Sequence, residues 1–591
     1  MKRLFDVINH QLQYFAKEDM LAAKSDGKWF GWSTLTVKET VDKFSAGLNH
    51  LKFGTNGFTA EESDKVAIIS NNRPEWLITD MAVQQTGAIL VPLYPTTHPS
   101  EIVYILNEAD VRLIFVSDKV LFDKIVSIKD QIHSIIEIYS FDIIEGCKNW
   151  KEIVDFEGDI EKMNLFKSSI PESHIATIIY TSGTTGYPKG VMLSHKNICS
   201  CVLYSKESFP FSDAPHNKVL SFLPLNHVFE RLVSYIFMYS GLGIYYAENM
   251  ETIGDNIREI KPNGFTTVPR LLEKVYEKIM TRANDLKGIK RVLFFWALNL
   301  GKQYDIRNTS VIYRSQLWLA QKLIFRKWKA ALGGNIEFIV TGGAACPVNL
   351  LRIFNAAGLP VYEGYGPTEN SPVITVNRKA KELNIPGTVG QPIIGIDVKL
   401  QEDGEICVKG STVMVGYYKH PDWTAEVIID GWLHTGDIGE WVDGKFLKIT
   451  DRKKELFKTS GGKYIAPQPI ENKFKEHSFI EQIMVIGADR KFVSALIVPA
   501  FPILKGWLHY KHINIETEEE MVNHPKVLEK YNRIILEINQ SFSNVEQIKK
   551  FVLLPTEWSI DGGEMTPKLS LKRKIVTSKF NTEIESMYFT G

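Results

Sequence analysis

Net charge is the first thing this chain lacks. Its 69 Lys and Arg are cancelled by 69 Asp and Glu over 591 residues, and a chain with no basic excess is poorly suited to general nucleic-acid binding. Cysteine is scarce. Cys147, Cys199, Cys201, Cys346 and Cys407 stand in no CxxC or Cys/His ligand spacing, which excludes a disulfide framework and points to free thiols in a reducing compartment. Long apolar runs are missing too: the uncharged stretch Leu232 to Ala247 is broken by Ser and Gly and falls short of the roughly 20 residues that span a bilayer. The first residues, Met1-Lys2-Arg3-Leu4-Phe5-Asp6 with His10 and Gln11 close behind, do not read as a signal peptide. A cytoplasmic protein without a transmembrane helix is the expectation. No internal repeat or low-complexity tract is visible.

What is present is ordinary globular composition, 44% hydrophobic and 23% charged, in a chain too long for a single core. Apolar runs such as Lys65 to Ser70, Leu113 to Val116, Phe265 to Val268 and Ile336 to Val340 alternate with segments of helical period. That alternation predicts an α/β protein whose parallel-type sheets are flanked by helices. A short charged run at Thr450 to Lys454 follows the strand-like Lys445 to Ile449. The expected division is therefore a large domain over 1–451 and a small mobile α/β lid over 452–591.

The most informative stretch is Tyr180-Thr181-Ser182-Gly183-Thr184-Thr185-Gly186-Tyr187-Pro188-Lys189-Gly190, which follows the apolar run Ile175 to Ile179. Small residues let backbone N–H groups approach phosphate oxygens, hydroxyls add donors, and Lys189 supplies a point charge. It is not a Walker loop, because Pro188 precedes Lys189 and Gly190 follows it. Further segments follow in order: Leu223-Pro224-Leu225-Asn226-His227-Val228-Phe229-Glu230-Arg231, Thr341-Gly342-Gly343-Ala344-Ala345, Tyr362-Glu363-Gly364-Tyr365-Gly366-Pro367-Thr368-Glu369, Leu433-His434-Thr435-Gly436-Asp437 and Asp451-Arg452-Lys453-Lys454-Glu455. This ordered set resembles the signature of the AMP-forming acyl-adenylate superfamily, which includes acyl-CoA synthetases, adenylation domains and luciferases.

The resemblance implies that a carboxylate is activated by attachment of AMP, with loss of pyrophosphate, and is then passed to coenzyme A. It implies an ATP site built from Thr181, Ser182, Gly183, Thr184, Thr185, Gly186 and Lys189, from Gly343 and Ala344 beside adenine, and from Glu363, Gly364, Tyr365 and Gly366 packed on it. Thr368 would contact the α-phosphate, Asp437 would accept both ribose hydroxyls, Arg452 would belong to the same ATP site, and Thr184 with Glu369 would hold Mg²⁺. Near the C-terminus, Met565-Thr566-Pro567-Lys568-Leu569-Ser570-Leu571-Lys572-Arg573-Lys574 resembles the family's last motif. Its lysine closes over the reacting carboxylate and α-phosphate. The usual preceding Gly is replaced by Leu571, as in the long-chain branch, so Lys572 is the lid lysine with Lys568 in reserve. Lys454 matches the hinge.

His227 and Phe229 would shape the acyl pocket, with His227 gating thiol access. Tyr235, Phe237, Tyr239, Tyr245 and Tyr246 either line an apolar tunnel or pack the core. Gly461 and Gly462 read equally as an ordinary turn or as the place where coenzyme A passes close to backbone. The phrases around His227, Val268-Pro269-Arg270 and Tyr464-Ile465-Ala466-Pro467 resemble the long-chain fatty acyl-CoA synthetases specifically. A fatty acid is then the substrate; rival readings are transfer of the acyl group to a carrier protein and a non-catalytic fatty-acid-binding relative. Between Lys287 and Ala330, ten Lys or Arg face one acidic residue, Asp305, among Phe294, Phe295, Trp296, Trp318, Leu323, Phe325 and Trp328. The segment is either a peripheral dock on anionic membrane or a helical insert packed on the large domain with a solvated basic face.

Overall fold

The computed structural model describes residues 1–156, 158–181, 188–209, 217–307, 310–453, 455–461, 463–559, 562–565 and 571–589. Strand Lys65–Ile69 shows why the sheets form as they do. Every residue of Lys-Val-Ala-Ile-Ile is buried, as a strand covered on both faces requires, and it pairs in parallel with Ile89–Leu93 and Val111–Val116. These strands centre an eight-stranded sheet that continues through Ile175–Thr181 to Lys189–Ser194 and Gly416–Tyr417 at one edge. The last two pairings are antiparallel; Ile175–Thr181 and Lys189–Ser194, consecutive in the chain, pair as a hairpin.

A nine-stranded sheet has a parallel centre of Gly243–Tyr246, Lys218–Ser221, Gly264–Thr267, Phe338–Thr341 and Val361–Tyr365. Helices lie between consecutive strands, which is what a parallel crossover needs. Helix Pro74–Gln85 is buried at every residue but Glu75 and helix Val228–Tyr239 nearly so; one apolar core joins the two sheets across them. A third, antiparallel sheet carries Ile396–Leu400, Glu405–Gly410, Trp432–Val442 and Phe446–Arg452.

The smaller C-terminal body has its own core, drawn from residues between Ile465 and Met587. Strands Ile480–Ile486, Val493–Pro499 and Ile548–Leu553 form its sheet, against which helix Pro467–Lys475 packs through Ile470 and Phe474. The α/β expectation thus holds, with mixed rather than wholly parallel sheets.

The basic insert folds as helices Gly288–Lys302, Val311–Ala320 and Arg326–Ala331. Phe294, Phe325 and Trp328 are core residues packed with Leu317 and Phe354, so these aromatics belong to the protein interior and not to an outward face. Trp318 and Leu323 do face outward, at 60% and 45% exposure. Among the described residues no helix is long and apolar enough to cross a membrane.

Candidate functional site

One continuous cleft of about 2170 Å³ runs between the large and small bodies. Parallel strands end there, and the loops following them carry the polar groups, the usual place for a ligand in open α/β sheets. Strand Phe338–Thr341 delivers Gly343, whose φ of +81° favours glycine. Strand Val361–Tyr365 delivers Gly364, Tyr365 and Gly366. At Gly366 a Cβ would lie 1.5 Å from the Pro372 carbonyl oxygen, so only glycine fits. Thr368 opens the short 3₁₀ turn that comes next, with Glu369 beside it.

Asp437 is the best-defined anchor in the cleft. It is buried on strand Trp432–Val442, directly paired with Arg452 of the neighbouring strand. Tyr365 Oη donates to its Oδ2 at 2.7 Å and Arg452 Nε donates to its Oδ1 at 3.1 Å. Burial raises the Asp437 carboxyl, against the lowering pull of Arg452; the facing carboxylate, in turn, is the main reason the guanidinium holds its proton more firmly. A charged acceptor held by a tyrosine and an arginine suits a diol.

The cation of the phosphate-type loop is held by aromatic faces. Lys189 Nζ lies 5.0 Å from the Tyr417 ring centre and 4.6 Å from that of Trp423, within cation–π range. Tyr417 also donates its hydroxyl to Glu369 Oε1 at 2.9 Å. The carboxylate beside Thr368 therefore commits one oxygen to Tyr417, and as a hard oxygen donor lining the cleft it fits Mg²⁺. Sequence reasoning missed Tyr417 and Trp423; the aromatic run Tyr417-Tyr418-Lys419-His420-Pro421-Asp422-Trp423 was their only signal.

The His227 motif divides between cleft and core. His227 caps helix Val228–Tyr239, its Nδ1 accepting the Phe229 N–H at 3.1 Å, and both residues line the cleft. Glu230 and Arg231 turn inward. Glu230 accepts hydroxyls from Ser221 and Thr266, and burial pushes its carboxyl up to about 7. Arg231 holds Asp80 by two hydrogen bonds, of 2.8 and 2.5 Å, and Tyr235 Oη donates to the same carboxylate at 2.8 Å. Tyr235, Phe237 and Tyr246 are core residues; of the two expectations for the aromatic stretch, packing is the one these three meet.

Thr181, Lys189, Ala344, Glu363, Thr368, Asp437, Arg452 and Lys572 all line the cleft with the residues above. Gly461 does not; it sits exposed in the turn between Phe457–Lys458 and Tyr464–Ile465. Ser182, Gly183, Thr184, Thr185, Gly186, Lys454, Gly462 and Lys568 lie outside the described residues. Among the described residues, Arg270 pairs with Glu481 across the cleft, and Asn349 Nδ2 donates to Glu476 Oε2 at 3.4 Å.

A cleft with these anchors, between bodies of these sizes, defines a class. The AMP-binding enzyme family matches residues 13–418, and its C-terminal domain family matches residues 455–590; the chain belongs to this family. It is 30% identical over 565 residues to long-chain-fatty-acid–CoA ligase FadD15 of Mycobacterium bovis, covering 94% of this chain and 92% of that one. It is 33% identical to human long-chain-fatty-acid–CoA ligase 1 over 90% of this chain and 80% of the relative. Among solved structures, the fold is shared with the A domain of carboxylic acid reductase from Segniliparus rugosus in complex with AMP (TM-score 0.74, 19% identity, 99% and 94% coverage). It is shared also with the anthranilate CoA ligase AuaEII in complex with anthranoyl-AMP (TM-score 0.71, 16% identity, 98% and 97% coverage).

Proposed function

We propose that this protein is a long-chain-fatty-acid–CoA ligase: it activates a fatty acid with ATP through an acyl-adenylate and transfers the acyl group to coenzyme A, releasing AMP and pyrophosphate. The observation that carries the reading is the convergence of Lys189, Thr368, Glu369, the Asp437–Arg452 pair and Lys572 on one cleft, in a chain that belongs to the AMP-binding enzymes and matches long-chain ligases almost end to end.

Each group then has a task. The ribose hydroxyls donate to Asp437, whose charge Arg452 and Tyr365 hold in place. The fatty-acid carboxylate attacks the α-phosphorus, the bond to pyrophosphate breaks, and negative charge grows on the α-phosphate oxygens. Lys572 and the Thr368 hydroxyl meet that charge, and Lys189 draws the leaving pyrophosphate; preorganised charge of this kind is what lowers the barrier to phosphoryl transfer. Glu369 and Thr184 would hold Mg²⁺, which would supply positive charge to offset that of the phosphates. The coenzyme A thiol then attacks the acyl carbonyl and AMP leaves. His227 and Phe229 form the wall past which acyl chain and thiol must move.

We divide the chain at 451/452. In support, the small core begins only at Ile465, and the last strand of the large body's antiparallel sheet runs out within one residue of this division, at Arg452. Rotation about Lys454 would withdraw Lys572 and bring the 458–465 hairpin, with Gly461 and Gly462, to the coenzyme A path.

The test is release of AMP and pyrophosphate across a series of fatty acids, with and without coenzyme A, in wild type and Lys572→Ala. Release that peaks with long acids and turns over only with coenzyme A is expected. If adenylate forms but coenzyme A does not accelerate turnover, the acceptor is a carrier protein; if ATP is not consumed at all, the non-catalytic reading replaces both.

A second reading concerns the insert. Val311, Ile312, Trp318 and Leu323 are exposed beside exposed Arg314, Lys322, Arg326 and Lys327, with Lys322 Nζ 5.1 Å from the Trp318 ring centre. We assign this face to an anionic bilayer surface, from which fatty acid would be drawn. Co-sedimentation with vesicles rich in anionic lipid should weaken on Arg326→Glu/Lys327→Glu, whereas unchanged binding would remove the idea.

A further inference from the structure

Arg573, next in the chain to Lys572, spreads its guanidinium over three separate segments. Nη2 donates to both carboxylate oxygens of Glu471, at 2.6 and 2.7 Å, from helix Pro467–Lys475. Nη1 donates to the Val485 carbonyl at 3.2 Å, and Nε donates to Glu455 Oε2 at 3.2 Å. Glu471 is itself buried and accepts the Val485 N–H at 2.7 Å, so helix, strand and guanidinium close into one unit. Glu455 is of a different kind. It stands at the very start of the small body, its N–H bonded to the Arg452 carbonyl at 2.9 Å, and Arg452 is the residue that pairs with Asp437 in the large body.

Lys572 has little freedom of its own at the backbone. Its N–H donates to the Glu564 carbonyl at 2.7 Å, and its carbonyl accepts the N–H groups of Ile575 and Val576 at 2.9 and 3.1 Å. It is the residue from which helix Arg573–Lys579 starts.

We infer that Arg573 is a positioning residue for adenylate formation: through Glu455 it ties the Lys572 backbone to the segment leaving Arg452, and through Glu471 and Val485 to the frame of the small body. The setting of the interdomain segment is thereby passed to Lys572. The planar fork is essential, because its four hydrogen bonds leave from three separate nitrogens, whereas a lysine donates from one. This inference rests on the reading of Lys572 as the lid lysine.

The test separates the two half-reactions. Adenylate formation is read as pyrophosphate release from ATP and a long-chain fatty acid without coenzyme A; thioester formation is read from preformed acyl-adenylate and coenzyme A. Lys572→Ala serves as the reference, with Arg573→Lys and the milder Glu455→Gln, which leaves the Glu471 clamp intact. Both positioning variants should lose about 10–100-fold in adenylate formation, as a misplacement of about 1 Å allows, and retain thioester formation. Parallel loss in both half-reactions would reduce Arg573 to a structural role and overturn the inference, as would full adenylate formation in both variants while Lys572→Ala is selectively impaired. If Lys572→Ala itself leaves adenylate formation intact, the lid-lysine reading is what fails, and this inference falls with it.

Discussion

Glu363 offers a test of the site's electrostatics that needs no substrate. It lies on strand Val361–Tyr365, 6% exposed, with one carboxylate oxygen accepting the Cys346 N–H at 3.3 Å. Burial pushes its carboxyl from 4.5 up to about 8. The unfolded chain releases this proton near pH 4.5 and the folded chain keeps it until about pH 8, so between those values unfolding liberates a proton and rising pH favours it. The shift is 8 minus 4.5, and at 1.36 kcal/mol per unit the folded state loses about 4–5 kcal/mol across that window. Glu363→Gln keeps an acceptor for Cys346 and has no proton to lose. For a cooperative body of about 450 residues the unfolding entropy is about 1 kcal/mol/K, so the variant should exceed wild type by about 4–5 °C in Tm at pH 9. The two should lie close together at pH 5. Differential scanning calorimetry from pH 5 to 9 reads the gap directly. Glu230, raised to about 7, and Asp451, raised to about 6, titrate in both proteins and cancel in the difference. Parallel pH curves for the two proteins would refute the argument.

Three further outcomes are expected. Asp437→Asn removes the charge that Tyr365 and Arg452 hold, and kcat/KM for ATP should fall about 10–100-fold, the worth of a hydrogen bond to a charged group, with the fatty-acid KM little changed; an unaltered ATP dependence would sink the ribose role. Trp423→Leu deletes one cation–π face from Lys189, worth about 0.5–2 kcal/mol, and should raise the KM for ATP about 2–30-fold in initial-rate assays. Arg231→Leu leaves Asp80 charged and buried at 0% exposure, which should cost about 3–5 kcal/mol in denaturant unfolding of the large body. Adding Asp80→Asn should return part of that loss, because the penalty is the unpaired charge.

The sequence by itself determined the α/β class, the order of the chemistry-bearing segments and the identity of most polar groups in the cleft. It could do so because those features are local. Continuous apolar runs such as Lys65–Ile69 need no partner to be recognised, and glycine at Gly343 and Gly366 answers to backbone demands within its own loop. Tertiary structure alone decided which neighbours along the chain part company. His227 and Phe229 face the cleft while Glu230 and Arg231 are buried, because the helix they begin is enclosed on nearly every side. Phe294, Phe325 and Trp328 are core and Trp318 is surface, a sorting that depends on which helix face meets Phe354 and Leu317. The same holds for Tyr417 over Lys189, for Arg452 on Asp437 and for Arg573 on Glu455. Each joins residues from 15 to more than 200 positions apart, and no local pattern encodes a contact that exists only once the sheets have packed.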